Sequence, residues 1–269
     1  MTNSTSVKIK PVRRRTPVDT AANNASNGAG ASALRATGCS SCNLRGLCAP
    51  CCGLTRDERD IADRLVFKRS HLRRGETLYR TGDRFVFLYA VRTGFFKCTV
   101  LLENGRRDQV TGFSMAGEVL GMDGIGLEMQ TCNAIALEDS IVCAIPYAGL
   151  QELAHEIPSL QHQLRITMSR EIVRESGVML LLGSMTADER LALFLLNLSR
   201  RFAAHGQPPA EFNLRMTREE IGSYLGLKLE TVSRTFSRFQ EEGLIAVQLK
   251  MVRIRDSAAL KQVMGRDLD

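Results

Sequence analysis

The spacing of apolar positions changes along this chain, and the change divides it. From about Leu54 to Ile157 the apolar residues fall in short alternating runs punctuated by Gly75, Gly82, Gly94, Gly105, Gly112 and Gly117. Phe85 to Arg92, then Thr93-Gly94, then Phe95 to Leu102 reads as a β-hairpin, and Glu103 to Asp108 as the next turn. Regular turns at this spacing predict a small antiparallel barrel or sandwich. After Pro158 the period lengthens. Leu160, Leu164, Met168, Ile172, Met179 and Leu182 recur at helical steps with no proline among them, which predicts one long amphipathic helix. A second helix is expected from Asp188 to about Ala204, then a break at Gly206-Gln-Pro-Pro209 and a short strand near Phe212 to Leu214. The whole is an α+β chain.

From Thr217 the pattern becomes more specific. Thr217-Arg-Glu-Glu220 is a capping box, in which the threonine caps a helix and Glu220 returns to the cap amide. Ile221, Tyr224 and Leu225 give that helix an apolar face, Gly226 supplies a turn, and a second helix runs from about Leu229 to Glu242, ending at Gly243. This is the spacing of a DNA-binding helix-turn-helix. On the second helix Val232, Phe236 and Phe239 face inward, while Glu230, Ser233 and Arg234 share the opposite face of its first turns. Recognition helices read bases from their N-terminal residues. Arg234 has the fork geometry to grip guanine, Glu230 can accept from cytosine, and Ser233 is less selective. The competing reading is an ordinary surface pair between Glu230 and Arg234, worth about 0.3–0.5 kcal/mol. Leu244 to Arg255 reads as a wing hairpin offering Lys250, Arg253 and Arg255 to phosphates. Thr217, Glu230, Ser233, Arg234, Lys250 and Arg253 are therefore the expected contacts to double-stranded DNA.

The long helix has a narrow stripe that exceeds what one small barrel would cover, so it is a candidate homodimer seam through Leu164, Met168, Ile172 and Met179. Glu175 interrupts that stripe. A carboxylate facing its own copy opposes pairing and makes the dimer marginal. The plainer alternative is a helix packed on its own barrel.

Composition and charge narrow the class. With 269 residues, two compact domains plus an arm are the natural expectation. The net charge of +7 is uneven, since Lys8, Lys10, Arg13, Arg14 and Arg15 crowd the start. Residues 1–37 carry too few large apolar groups to offset ordering entropy and read as a disordered basic arm. Residues 38–157 form the cysteine segment and sensor domain, 158–184 the dimerisation helix and 185–269 the winged helix-turn-helix. No apolar run reaches membrane-spanning length, and the first thirty residues lack a secretory core, so the expected location is cytoplasmic, with no membrane partner.

Eight cysteines in a reducing compartment argue for metal or redox chemistry. Cys39, Cys42 and Cys48 converge locally, and a cluster needs a fourth thiolate: Cys51, Cys52, Cys132 or Cys143. Spacing does not choose among these. Cys39, Cys42, Cys48 and Cys51 alone would make a tight zinc tetrad. Cys98 alternates with apolar strand positions and reads as core. A redox enzyme is disfavoured, because no flavin or nicotinamide phosphate loop is visible and no small-molecule substrate is implied.

Taken together, the chain from Cys39 to about Leu260 resembles the FNR group of the CRP/FNR superfamily, oxygen-responsive bacterial transcription regulators. The resemblance rests on Cys39-Ser-Ser-Cys42-Asn-Leu-Arg-Gly-Leu-Cys48, Gly75-Glu-Thr-Leu-Tyr-Arg-Thr-Gly-Asp83, Val142-Cys143-Ala-Ile-Pro146 and Glu230-Thr-Val-Ser-Arg234. It implies a cyclic-nucleotide-binding-like antiparallel β-roll, a long dimerisation helix and a C-terminal winged helix-turn-helix. It also implies a 4Fe-4S cluster with Cys143 as fourth ligand, a palindromic DNA site and RNA polymerase as a partner. The Arg-Ser pair that would clamp a cyclic phosphate is replaced by Gln130-Thr-Cys-Asn133, so nucleotide binding is not expected. A zinc-stabilised or nucleotide-responsive regulator of the same fold is the alternative.

Overall fold

The computed structural model describes residues 68–101 and 108–265 together with Thr55, Asp57 and Glu58, the side chains of 179–182 excepted. The basic arm and Cys39, Cys42, Cys48, Cys51 and Cys52 lie outside the described residues.

Eight strands build the first region: β1 (Lys68–Leu72), β2 (Thr77–Tyr79), β3 (Phe87–Thr93), β4 (Phe95–Leu101), β5 (Asp108–Met115), β6 (Val119–Leu120), β7 (Asn133–Ala136) and β8 (Ser140–Pro146). They divide into two antiparallel four-stranded sheets, ordered β1-β8-β3-β6 and β2-β7-β4-β5. Alternation along β3 points Leu88 and Ala90 into the cluster with Cys143 and Leu150, while Val91, on the opposite face, packs in a second cluster with Phe96 of β4. The hairpin expected between Phe85 and Leu102 is not formed. β3 pairs with β6 and β8, whereas β4 pairs with β5 and β7, so the chain changes sheet at Gly94. Gly94 has φ +97°, and a Cβ there would fall 2.0 Å from Ser140 Oγ. That close crossing requires glycine and turns the second strand away from the first.

Two helices close the β-roll: α1 (Tyr147–Glu156) and α2 (Pro158–Ser184). Proline in its first turn starts α2, since the lost amide would have had no helical partner there. Leu160 and Leu164 of α2 pack with Leu88, Cys143, Leu150 and Ile157 in one buried cluster.

The C-terminal region comprises α3 (Ala187–Ala204), β9 (Glu211–Asn213), α4 (Arg218–Leu225), α5 (Leu229–Glu241), β10 (Ile245–Gln248), β11 (Met251–Ile254) and α6 (Ser257–Gln262). Thr186 and Glu189 cap α3 reciprocally, and the three strands pair in the order β10-β11-β9. A single apolar cluster runs from Phe95, Val110, Phe113 and Met115 of the β-roll into Leu191, Phe194 and Leu195 of α3 and Ile221 and Leu225 of α4. Phe113 meets Phe194 and Tyr224 at ring-centroid distances of 6.2 and 5.3 Å. The β-roll and the helix-turn-helix therefore share a core.

Candidate nucleic-acid interface and thiolate site

The helix-turn-helix is held by local rules that the sequence shows. Thr217 Oγ1 accepts the Glu220 amide at 3.1 Å, and Glu220 Oε2 accepts the Thr217 amide at 2.7 Å. Gly226 ends α4 in the left-handed region at φ 65°. Val232, Phe236 and Phe239 are buried, and the Arg218 guanidinium lies 3.1 Å over the centre of the Phe236 ring. Glu230, Ser233 and Arg234 all lie on the exposed side of α5, a polar face with an apolar back. Lys228, which precedes α5, offers no side-chain cap.

Three residues that hold this unit were not singled out from sequence. Thr235 is buried on the inner face of α5 and donates to Asp188 of α3 at 3.2 Å, and Arg238 donates to the same carboxylate. Lys97 of β4 reaches the capping carboxylate of Glu220 at 2.7 Å. Burial alone would raise the Glu220 carboxyl; the bonds from Lys97 and the Thr217 amide hold it below its usual value. A polar residue at the inward spacing of Val232 and Phe236 was the legible sign of Thr235.

The wing is a two-residue turn, Leu249-Lys250, between β10 and β11. Lys250 is exposed in that turn, and Arg255 is exposed at the base of the hairpin, just after β11. Arg253 is engaged within the domain: its Nε and a terminal nitrogen lie 2.6 and 2.5 Å from Glu211 Oε2. Any phosphate contact from Arg253 would compete with that pair.

Among the described cysteines, Cys143 sits on β8 between Arg69 of β1 and Ala90 of β3, buried in the cluster that includes Ile157 and Leu160. The chain that follows the cysteine segment is tied to the same place. Thr55 and Glu58 form a capping box, and Ser159, between Ile157 and Leu160, donates to Glu58 at 2.7 Å. Thus Thr55 and Glu58 sit at the start of α2, beside the core that holds Cys143. A cysteine thiol is the kind of ligand that suits a soft metal ion or an iron–sulfur cluster.

Cys132 fits less well. With Cys98 and Tyr79 it lines a separate cavity of about 260 Å³ bounded by Glu171, Arg174 and Glu175 of α2. The neighbouring Cys98 thiol and burial push the Cys132 thiol far up, which disfavours the thiolate that iron or zinc requires.

Along α2, the expected seam divides. Leu164 is taken into the chain's own core, so the stripe does not run from Leu164 as one outward surface. Met168 is half-buried, whereas Ile172 and Val173 are 64% and 68% exposed, and Glu175 is exposed beside them. The side chain of Met179 lies outside the described ones.

A β-roll carrying a helix-turn-helix with an open polar reading face is the build of a DNA-binding transcription regulator, not of an enzyme. Family models agree: residues 69–156 match the cyclic nucleotide-binding domain and residues 189–263 the Crp-like helix-turn-helix domain. The chain is 45% identical over 88% of its length, and 96% of the relative's, to the transcriptional activator protein FnrA of Stutzerimonas stutzeri. It is 44% identical to the transcriptional activator protein anr of Pseudomonas aeruginosa over 88% of this chain and 96% of that one. The fumarate and nitrate reduction regulatory protein of Escherichia coli is 42% identical over 84% and 90%. Among solved structures, FixK2 from Bradyrhizobium japonicum superposes with a TM-score of 0.66 at 29% identity, covering 73% of this chain and 96% of that one. The chain belongs to the FNR/Anr transcription regulators of the CRP/FNR superfamily. No helix among the described residues is long and apolar enough to cross a membrane.

Proposed function

We propose that this regulator senses oxygen through a 4Fe-4S cluster held by Cys39, Cys42, Cys48 and Cys143, and that it binds a palindromic DNA site as a homodimer when oxygen is absent. The carrying observation is the burial of Cys143 in the cluster that also holds Ile157, Leu160 and Leu164 at the start of α2. Ligation at Cys143 would act on the root of the helix whose outer half presents Ile172 and Val173. When bound, the cluster supplies an oxygen-labile set of iron–thiolate bonds. The chain's own part is to hold the thiols, to transmit their placement to α2 and to present the reading face.

On that face Glu230, Ser233 and Arg234 contact bases, while Thr217 and Lys250 lie on the phosphate side, with Arg253 contributing if it leaves Glu211. RNA polymerase is the expected further partner, and the cytoplasm the expected location. The names of the relatives support the anaerobic role.

Optical spectra of protein purified without oxygen test this reading. Broad visible absorption that bleaches in air is expected. A colourless protein with stoichiometric zinc would replace it with a zinc-stabilised regulator.

A further inference from the structure

One carboxylate outside the thiolate site and the reading face joins three parts of the molecule. Glu118 lies in the turn between β5 and β6. Arg201 of α3 grips it with two nitrogens, Nε to Oε1 at 2.8 Å and a terminal nitrogen to Oε2 at 2.6 Å, and the same terminal nitrogen donates to the Phe113 carbonyl at 2.7 Å. Such a fork fixes orientation as well as distance. Arg174 of α2 stands 4.0 Å from Glu118 Oε2, is paired with Glu171, and donates to the same Phe113 carbonyl at 3.4 Å. His205, after the end of α3, has Nε2 3.9 Å from Glu118 Oε1. It fits there because residue 117 is glycine: a Cβ would fall 2.4 Å from His205 Nδ1.

Burial alone would lift the Glu118 carboxyl. The Arg201 charge, the hydrogen bonds of His205 and Arg201 and the Arg174 charge outweigh it, holding the carboxyl well below the usual carboxylate range. Nearby, Ser223 of α4 accepts the Val110 amide at 2.9 Å, and Lys97 holds Glu220. All this leaves Glu230, Ser233 and Arg234 exposed.

Ion pairs largely withdrawn from water, as this partly buried one is, are weak sources of net stability, and their better-attested use is to specify one arrangement. We propose that Glu118 is a positioning residue: by tying α3 and α2 to one turn of the β-roll, it sets the angle of the helix-turn-helix relative to α2, and so the half-site spacing that the dimer accepts. This rests on the dimeric palindrome-binding reading above. In a two-fold dimer the separation of the two recognition helices must match the half-sites. A helix-turn-helix held at a less definite angle would still bind one half-site but would lose its choice of spacing.

The test uses full-length protein purified without oxygen, binding palindromes whose central spacer is shortened or lengthened by one and two base pairs, alongside a single half-site. Wild type is expected to prefer one spacer sharply. Glu118→Gln and Arg201→Lys should bind that spacer about tenfold more weakly and discriminate little among spacers. Their single-half-site affinity and their dimer mass by sedimentation should be unchanged. Should Glu118→Gln fail to fold, Arg174→Ala, which frees the α2 arm of the junction, should flatten the spacer profile in the same sense. General destabilisation would lower binding to every spacer in proportion and leave the profile sharp; a sharp profile in the variants overturns the role of Glu118. A wild type that binds two half-sites no better than one overturns the dimeric reading, and the inference with it.

Discussion

Helices α5 and α2 both carry apolar residues at helical spacing, yet the structure disposes of them differently. In α5 every inward apolar residue is satisfied within the chain: Val232, Phe236 and Phe239 are buried, and apart from Leu229 at the first position what remains outside is polar. In α2, among the described side chains, the fully buried apolar ones lie in the first turns. Leu160 and Leu164 are buried, while Ile172 and Val173, two turns on, stand in solvent. A helix whose apolar face is complete has a polar partner to meet, and here that partner is DNA. A helix whose apolar face is left half open fits an apolar partner, and a second copy of the same helix is the simplest. Glu175 sits in the open half, where pairing would bring like charges together.

The largest effect should come from the thiolates. Serine at Cys39, Cys42, Cys48 or Cys143 should each abolish visible absorption and the anaerobic DNA response, while Cys51, Cys52, Cys98 and Cys132 should tolerate it. Loss of the chromophore at Cys51 but not at Cys143 would move the site to the compact tetrad and detach it from α2.

Next in size is the contrast within α2. Leu164→Ala should cost about 2–5 kcal/mol of folding stability, read by denaturant unfolding, because it opens a cavity in the chain's own core. Ile172→Ala should cost the monomer no more than about 0.5 kcal/mol, as surface changes do, yet weaken dimerisation. Equal stability losses at both positions would mean that Ile172 is covered within its own chain.

Smaller effects are expected on α5 and the wing. Arg234→Ala should cost about 1–3 kcal/mol on the specific site and flatten discrimination at one base pair of each half-site. Lys250→Ala should weaken all sequences alike and lower the salt slope by about one. If Arg234→Ala weakened specific and nonspecific DNA equally, Arg234 would be a phosphate contact and α5 would read bases by other side chains.

What was legible in the sequence was local. Thr217 and Glu220 are three residues apart and announce their own cap; the inward set of α5 repeats at helical spacing; Pro158 marks the start of α2. What was not legible joins distant residues. The step from β3 to β4 at Gly94 looks like a hairpin turn, yet the two strands join different sheets, and Gly94 passes too close to Ser140 to carry a side chain. Glu118 and Arg201 are 83 positions apart, and Arg253 and Glu211 are 42 apart, so no local pattern couples them. The division of the α2 stripe escaped for the same reason, since its periodicity is equally good for a residue facing its own β-roll and for one facing a partner.

Sedimentation velocity of the full-length chain, prepared without oxygen and then aerated, tests most directly whether the open half of α2 is a dimer surface under the control of the cluster. Wild type should sediment as a dimer before aeration and as a monomer after it, and Glu175→Ala should remain dimeric in both, because the repulsion at the seam is gone. A wild type of unchanged mass on aeration, or a Glu175→Ala variant that is monomeric in air, would contradict the account and leave Glu175 a solvated surface residue.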